Sequence, residues 1–241
     1  MNPDIFFELA IDGESPWWRM LLDGLQFTLG VALWAWLLAM SLGAVIGVVR
    51  TLPRPWLARC GDAWVELFRN VPLIVQFFVW YFVLPGLFLP LKVWVTALDP
   101  TQHQFITSIL CLGLFTSARI AEQVKAGLQA LPTSQRSAGL ALGLTEWQTY
   151  RYVRLPMAFR IIIPPLTSDT MSLIKNTSVA YSIGLTELFF RTREMGELTF
   201  RYFEAFAAAT VVYIVISMLA NRVMAALERH VRVPGYIGGG R

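Results

Sequence analysis

From Gly24 to Val49 the chain carries no charged residue, and the apolar run over positions 21–49 holds only Asp23, near its start. A run of this length crosses roughly 30 Å of hydrocarbon with some tilt. In that medium a backbone must satisfy its own hydrogen bonds, so the segment has to be a helix. Further apolar stretches follow at about 63–84, 105–128, 161–183 and 203–227. The spacing predicts an all-α membrane protein, with about five transmembrane helices in a single transmembrane domain over residues 1–241. Composition agrees, at 56% hydrophobic and 15% charged, where soluble domains carry about 25% charged residues. Cys60 and Cys111 sit on different segments without metal-ligand spacing, so neither a disulfide nor a zinc site is expected. The start of the chain, with Asp4, Glu8, Asp12 and Glu14, lacks the basic first residues of a cleavable signal peptide.

The connections set the orientation. Arg50, Arg54 and Arg59, broken by Pro53 and Pro55, make a basic loop, and further basic groups collect over 125–154 and in a tail with Arg229, Arg232 and several glycines. The loop at 85–104 has few charges and room for an interfacial or re-entrant piece at about 87–98. Residues 186–202 alternate acid and base like an interfacial helix, and Trp17-Trp18 stand where an interfacial anchor would sit. Basic loops stay in the cytoplasm, which puts the N-terminus outside and the C-terminus inside.

The longest polar break, 131–156, is a basic island between apolar runs. Pro132-Thr133-Ser134 is a helix start in which either hydroxyl is placed to cap. Gly143 suits the left-handed end of that short helix. Thr145-Glu146-Trp147-Gln148 reads as a capping box opening a second one, with Leu144, Trp147, Tyr150 and Val153 on one face and Leu155-Pro156 as its end. Two readings stand: an ordinary cytoplasmic loop, or a shaped surface for a partner. At membrane depth lie Arg119 and Glu122 on the third span, and Asp169 and Lys175 on the fourth, whose Pro164-Pro165 suits a start or a kink. Buried charge is costly there, so these groups either neutralise one another between packed helices or face a water-filled path. The run Lys175-Asn176-Thr177-Ser178 either supplies helix-to-helix hydrogen bonds or walls a solute path. There is no phosphate-binding glycine loop, zinc motif or nucleophile elbow.

Ser137-Ala138-Gly139, then Gly143, then Leu155-Pro156 resembles the cytoplasmic EAA loop of ABC-transporter permeases, with Ser137 where that family usually carries an acidic residue. From Glu122 to Ser178 the chain resembles the polar amino-acid branch of binding-protein-dependent ABC permeases, nearest its glutamate/aspartate importers. The likeness runs from GLQFTLGVAL in the first span to RVPG in the tail. The resemblance implies the type I importer permease fold. It assigns Ser137, Ala138, Gly139, Leu140, Gly143, Leu155 and Pro156 to coupling helices that dock on an ATPase. It assigns Arg119, Glu122, Lys175, Asn176, Thr177 and Ser178 to the substrate path. Relatives that handle cationic amino acids tend to carry aspartate where Asn176 stands, and many members are uncharged where Arg119 stands, which makes Arg119 the candidate for a substrate carboxylate.

The partners implied are two ATPase subunits, a second permease like or unlike this one, an external solute-binding protein and membrane lipids in the bacterial inner membrane. ATP and Mg would be held by the ATPase, leaving no cofactor and no catalytic residue on this chain, and no nucleic-acid partner. A permease for another polar amino acid is the nearest alternative. A secondary transporter would show inverted halves with matching broken helices, and an intramembrane enzyme would need groups other than His103 and His230, which lie at span edges.

Overall fold

The computed structural model describes residues 3–10 and 13–231. A short 3-10 turn, Pro3–Phe7, leads to α1 (Trp17–Val49), α2 (Pro55–Asn70), α3 (Leu73–Phe78), a π-helical turn Val79–Val83, α4 (Leu84–Leu87) and α5 (Leu89–Thr96). Then come α6 (Pro100–Gln129), α7 (Thr133–Ala141), α8 (Glu146–Thr149), a second π turn Tyr150–Arg154 and α9 (Leu155–Asn176). A 3-10 turn Thr177–Ile183, α10 (Leu188–Thr199) and α11 (Tyr202–Val231) complete the chain. Among the described residues there are no strands, only an isolated antiparallel bridge between Leu9 and Pro16. The expected basic tail beyond Val231, with Arg232 and its glycines, lies outside the described residues.

Helices α1, α6 and α11 are each long and apolar enough to cross a membrane, and the bent pair Pro55–Asn70 with Leu73–Leu87 adds a fourth candidate. The span expected over 63–84 is therefore not one helix. It breaks at Val71-Pro72, because proline forces the residue before it out of the helical region. The span expected over 161–183 belongs to a helix that already begins at Leu155 and passes into 3-10 geometry at Thr177. Leu155-Pro156 does not end the coupling segment: the π turn Tyr150–Arg154 runs without a break into α9, and Pro156 is the second residue of that helix. Pro164 and Pro165 are inside α9 rather than at its start. Ile162 and Leu166 hold that stretch in a core, which offsets the lost helical bonds. Helix α6 starts at Pro100, ahead of the expected 105, because Asp99 Oδ1 accepts from the Thr101 N–H at 2.8 Å and closes the first turn. Helices do form at the two places where interfacial pieces are expected, α5 within about 87–98 and α10 within 186–202.

The chain packs as two compact units. The first comprises Met1–Leu38, Val71–Phe115 and Ser172–Met218. One of its cores gathers Ile5, Ala10, Trp17, Met20, Met195 and Ala205. Trp17 is thus a core residue, while Trp18 is left at the surface as an anchor would be. In the same unit the wholly buried Glu187 caps α10, accepting from the N–H groups of Phe189 and Phe190 at 2.9 and 2.8 Å. Tyr213 of α11 donates to the same carboxyl at 3.2 Å. Thr28 of α1 accepts from the Leu188 N–H at 3.1 Å, so α1 and α11 are both tied to the start of α10. The second unit comprises Ala39–Asn70, Thr116–Met171 and Leu219–Arg241. Its core is built from Ala39, Ile120, Val124, Leu128, Ile162, Leu166 and Met224, with Tyr150 at one edge.

Candidate functional site: the loop at 131–156 and the charges of the long helices

The loop over 131–156 lies within the second unit and is assembled by local bonds. Helix α7 follows Pro132, which holds the cap position without any side-chain hydrogen bond, so neither Thr133 nor Ser134 caps it as expected. Proline already lacks the N–H and has the right φ for a helix start. The far end closes on glycine. Gly143 has φ +82°, its N–H bonds the Leu140 carbonyl at 3.0 Å, and the Leu144 N–H bonds the Gly139 carbonyl at 3.1 Å. These two crossed bonds form a Schellman cap. Thr145 then opens α8 with a complete capping box: the Gln148 N–H donates to Thr145 Oγ1 at 3.2 Å, and the Thr145 N–H to Gln148 Oε1 at 2.9 Å.

Two contacts fold α7 against α8. A Cβ on Gly139 would stand 2.6 Å from Thr149 Cγ2, so only glycine allows the approach. Arg136 of α7 pairs with Glu146 of α8, and the guanidinium holds that carboxyl below the usual glutamate range.

This folding divides the expected coupling residues. Ser137, Ala138, Leu140, Gly143 and Pro156 are exposed, Gly139 is buried against Thr149, and Leu155 is half-buried. The expected single face of Leu144, Trp147, Tyr150 and Val153 is split: Tyr150 is buried, Leu144 and Val153 are half-buried, and Trp147 points outward. The π turn that starts at Tyr150 changes the angular step per residue and takes the later positions off the face of α8. Leu142 at 82% exposure, Tyr152 at 65% and Trp147 at 62% are apolar side chains of the segment left at the surface. Leu142 and Tyr152 were not singled out from sequence, since they sit off any helical face the pattern marks.

The charges expected at membrane depth do not form one group. Arg119 Nε donates to Asp169 Oδ1 at 2.8 Å within the second unit; the aspartate side chain is 4% exposed and the arginine 42%. Glu122, three residues further along α6, turns to a different set of partners. It accepts from Arg50 Nη2 at 2.8 Å and lies 3.6 Å from Arg69 Nη1. Glu122 is therefore engaged in a cluster at the α1–α2 connection rather than paired with Arg119.

Arg50 also donates to Asp62 at 2.7 Å, and Lys125 reaches the same carboxylate at 3.1 Å. Sequence reasoning missed Arg50 as a buried hub, placing it in a solvated basic loop; its side chain is only 5% exposed. Lys175, Asn176, Thr177 and Ser178 belong to the first unit. Lys175 is exposed, Asn176 and Ser178 are half-buried, and Thr177 is buried with its hydroxyl donating to the Ile174 carbonyl at 2.7 Å. Among the described residues no cluster of histidine, cysteine and carboxylate groups has metal-binding geometry, and both cysteines are free thiols.

Residues 39–233 match the family described as the binding-protein-dependent transport system inner membrane component. The chain is 45% identical over 241 residues to the glutamate/aspartate import permease protein GltJ of Escherichia coli strain K12, covering 99% of this chain and 98% of that protein. It is 32% identical over 213 residues to the glutamate/aspartate import permease protein GltK of Escherichia coli O6:H1, covering 87% of this chain and 92% of that protein. Identity to the glutamine transport system permease protein GlnP of strain K12 is also 32%, over 89% of this chain and 94% of that protein. Among solved structures, an amino acid ABC transporter crystallised with histidines superposes with a TM-score of 0.75 at 24% identity, covering 89% of this chain and 95% of that one. An inward-facing MetNI methionine ABC transporter superposes at 0.72 with 19% identity, covering 93% and 100%; the shared fold is that of ABC importer permeases. The capped loop at 131–156, the apolar helices and a match running through both compact units agree, and the chain belongs to the family of binding-protein-dependent transport system inner membrane components.

Proposed function

We propose that this chain is a permease subunit of an ATP-driven importer of acidic amino acids, glutamate and aspartate. The observation that carries the reading is the identity of 45% to GltJ across nearly the whole of both chains. The chemistry at Arg119 supports it. Asp169 holds the Nε edge of the guanidinium at 2.8 Å, while the Nη edge has no hydrogen-bond partner among the described residues. That free edge suits a substrate carboxylate, which a guanidinium binds through two parallel N–H···O bonds. Within the first unit, Lys175 is an exposed positive charge and Asn176 beside it carries no negative one. Glu122 is a structural ligand of Arg50 in this reading, and the buried Thr177 hydroxyl supports its own turn rather than facing solute.

The exposed surface of Ser137, Ala138, Leu140, Leu142 and Trp147 is where an ATPase would dock. ATP and Mg would be held by two copies of that separate subunit, which close on nucleotide and move the loop. A second permease chain completes the path, and a solute-binding protein outside delivers the amino acid. The N-terminus is outside and the basic 50–59 and 131–156 segments are cytoplasmic, beside anionic lipid headgroups.

Arg119→Gln should abolish glutamate and aspartate uptake in proteoliposomes while the complex still assembles with its ATPase. Arg119→Lys, which keeps the charge but not the fork, should retain only a small part of it. Glutamate uptake at the wild-type rate by Arg119→Gln would remove Arg119 from the path. The 32% identity to a glutamine permease favours glutamine as the second reading; competition by unlabelled glutamine for labelled glutamate uptake separates the two.

A further inference from the structure

The coupling segment is joined to the rest of its unit at a second place besides its own chain. Tyr150 opens the π turn after α8, and its hydroxyl lies 2.6 Å from Thr51 Oγ1, ninety-nine positions away in the sequence. Thr51 already gives its one proton to the Val48 carbonyl at 2.8 Å, so Tyr150 is the donor. The ring of Tyr150 is buried, burial pushes its phenol above the ordinary tyrosine range, and the Arg154 guanidinium sits 5.5 Å from the ring centre. Arg154 also donates to the Leu128 carbonyl at 3.3 Å, near the end of α6.

Thr51 directly follows Arg50, the residue that binds Asp62 on α2 and Glu122 on α6. Lys125 closes that ring onto Asp62. All of these residues belong to the second unit.

We infer that the Tyr150–Thr51 hydrogen bond is a latch that passes movement of the coupling loop sideways to the α1–α2 connection, which makes Tyr150 a positioning residue for ATP-driven transport. The inference rests on the proposed docking of the loop to an ATPase. Besides the latch, a push on α7 and α8 reaches the spans along the chain at Pro132, through the five residues of π-helical turn, and through the Arg154 bond to the Leu128 carbonyl on α6; none of these leads directly to the α1–α2 connection. The π turn is a single-turn irregularity in the helix that runs from α8 into α9. The latch bypasses it, and the Arg50 ring spreads the movement to α2 and α6. Loss of the phenolic hydroxyl leaves the Schellman cap, the capping box and the Gly139–Thr149 contact untouched, so the loop keeps its shape and loses only its sideways connection.

The test is the complete importer in proteoliposomes, with uptake and ATP hydrolysis measured on the same preparation. Tyr150→Phe and Thr51→Val should each assemble and hydrolyse ATP, yet consume severalfold more ATP per amino acid imported, as expected for one buried hydrogen bond at about a two- to tenfold effect. The double variant should be no worse than either single one, and Thr51→Ser should match the wild type. If both single variants keep the wild-type ratio, or their effects add, the latch is wrong. If Tyr150→Phe does not assemble, a normal ratio in Thr51→Val alone overturns it. A cross-linker at Ala138 in the wild type separates the two levels: capture of the ATPase with normal ratios sinks only the latch, and absence of capture sinks the docking itself.

Discussion

Gly143 holds a backbone angle, φ +82°, that a side chain makes costly, and no atom stands within 4 Å of where its Cβ would be. Strain and steric clash are therefore separable at this position. Gly143→Ala should cost about 1–2 kcal/mol from the left-handed conformation alone, and should weaken co-purification of the ATPase without loss of the spans. Arg50 and Arg136 form a second contrast. Arg50 is nearly buried and holds two carboxylates, so Arg50→Ala removes two charged hydrogen bonds, leaves Asp62 to Lys125 and Glu122 to Arg69, and should lower stability by about 1–2 kcal/mol. Arg136 and Glu146 are both exposed, and water screens their attraction. Arg136→Ala should leave the melting temperature in detergent where it was. Thermal unfolding of the two variants side by side checks the ranking, and equal shifts would contradict it.

Among the elements, α10 depends most on a single residue. Glu187 supplies the cap for two N–H groups and receives the Tyr213 hydroxyl, all in complete burial. Glu187→Ala should destabilise the protein by about 1–2 kcal/mol, the usual range for a lost cap. Burial raises this carboxyl from 4.5 to about 7, against the opposing pull of the Phe189 and Phe190 N–H groups. A carboxyl whose folded value is raised keeps its proton more tightly in the folded state. Its contribution is complete below the unfolded value and is lost as pH rises through the folded one. The melting temperature should therefore fall between about pH 4.5 and pH 7 through this group, and Glu187→Gln should flatten that part of the profile. Glu187 lies in the chain between the 3-10 turn and α10, outside the spanning helices.

For the whole molecule, the surface itself argues for company. Helix α11 turns Val211, Ile214, Val215, Met218, Leu219, Val223 and Leu227 outward, and α1 does the same with Leu29, Leu33, Trp34 and Leu37. In water such surfaces would aggregate; lipid or, on the proposed function, a second permease would cover them. Expressed without ATPase subunits, the chain should insert but not transport, and the active complex should hold two permease chains. Native mass spectrometry of the purified complex reads whether the second is like or unlike this one, and full uptake by a complex with a single permease chain would refute the paired path.

What the amino-acid sequence determined alone is what depends on neighbours a few positions away. The apolar runs dictate helices because lipid leaves the backbone no other partner. The glycine end at Gly143 and the capping box at Thr145 are written within six residues of each other. The breaks at Val71-Pro72 and the early start at Pro100 were also local signals, outweighed in the reading by the hydropathy of the flanking stretch. Only tertiary packing decided which charge met which. Arg50 looked like a solvated loop residue until α2 and α6 were laid beside it, and Glu122 separated from Arg119 although both lie on one helix. Tyr150 found Thr51 across ninety-nine positions. No periodicity encodes such pairings, because they depend on how helices distant in sequence are brought together, and burial in that packing turns an ordinary hydroxyl or guanidinium into a specific connection.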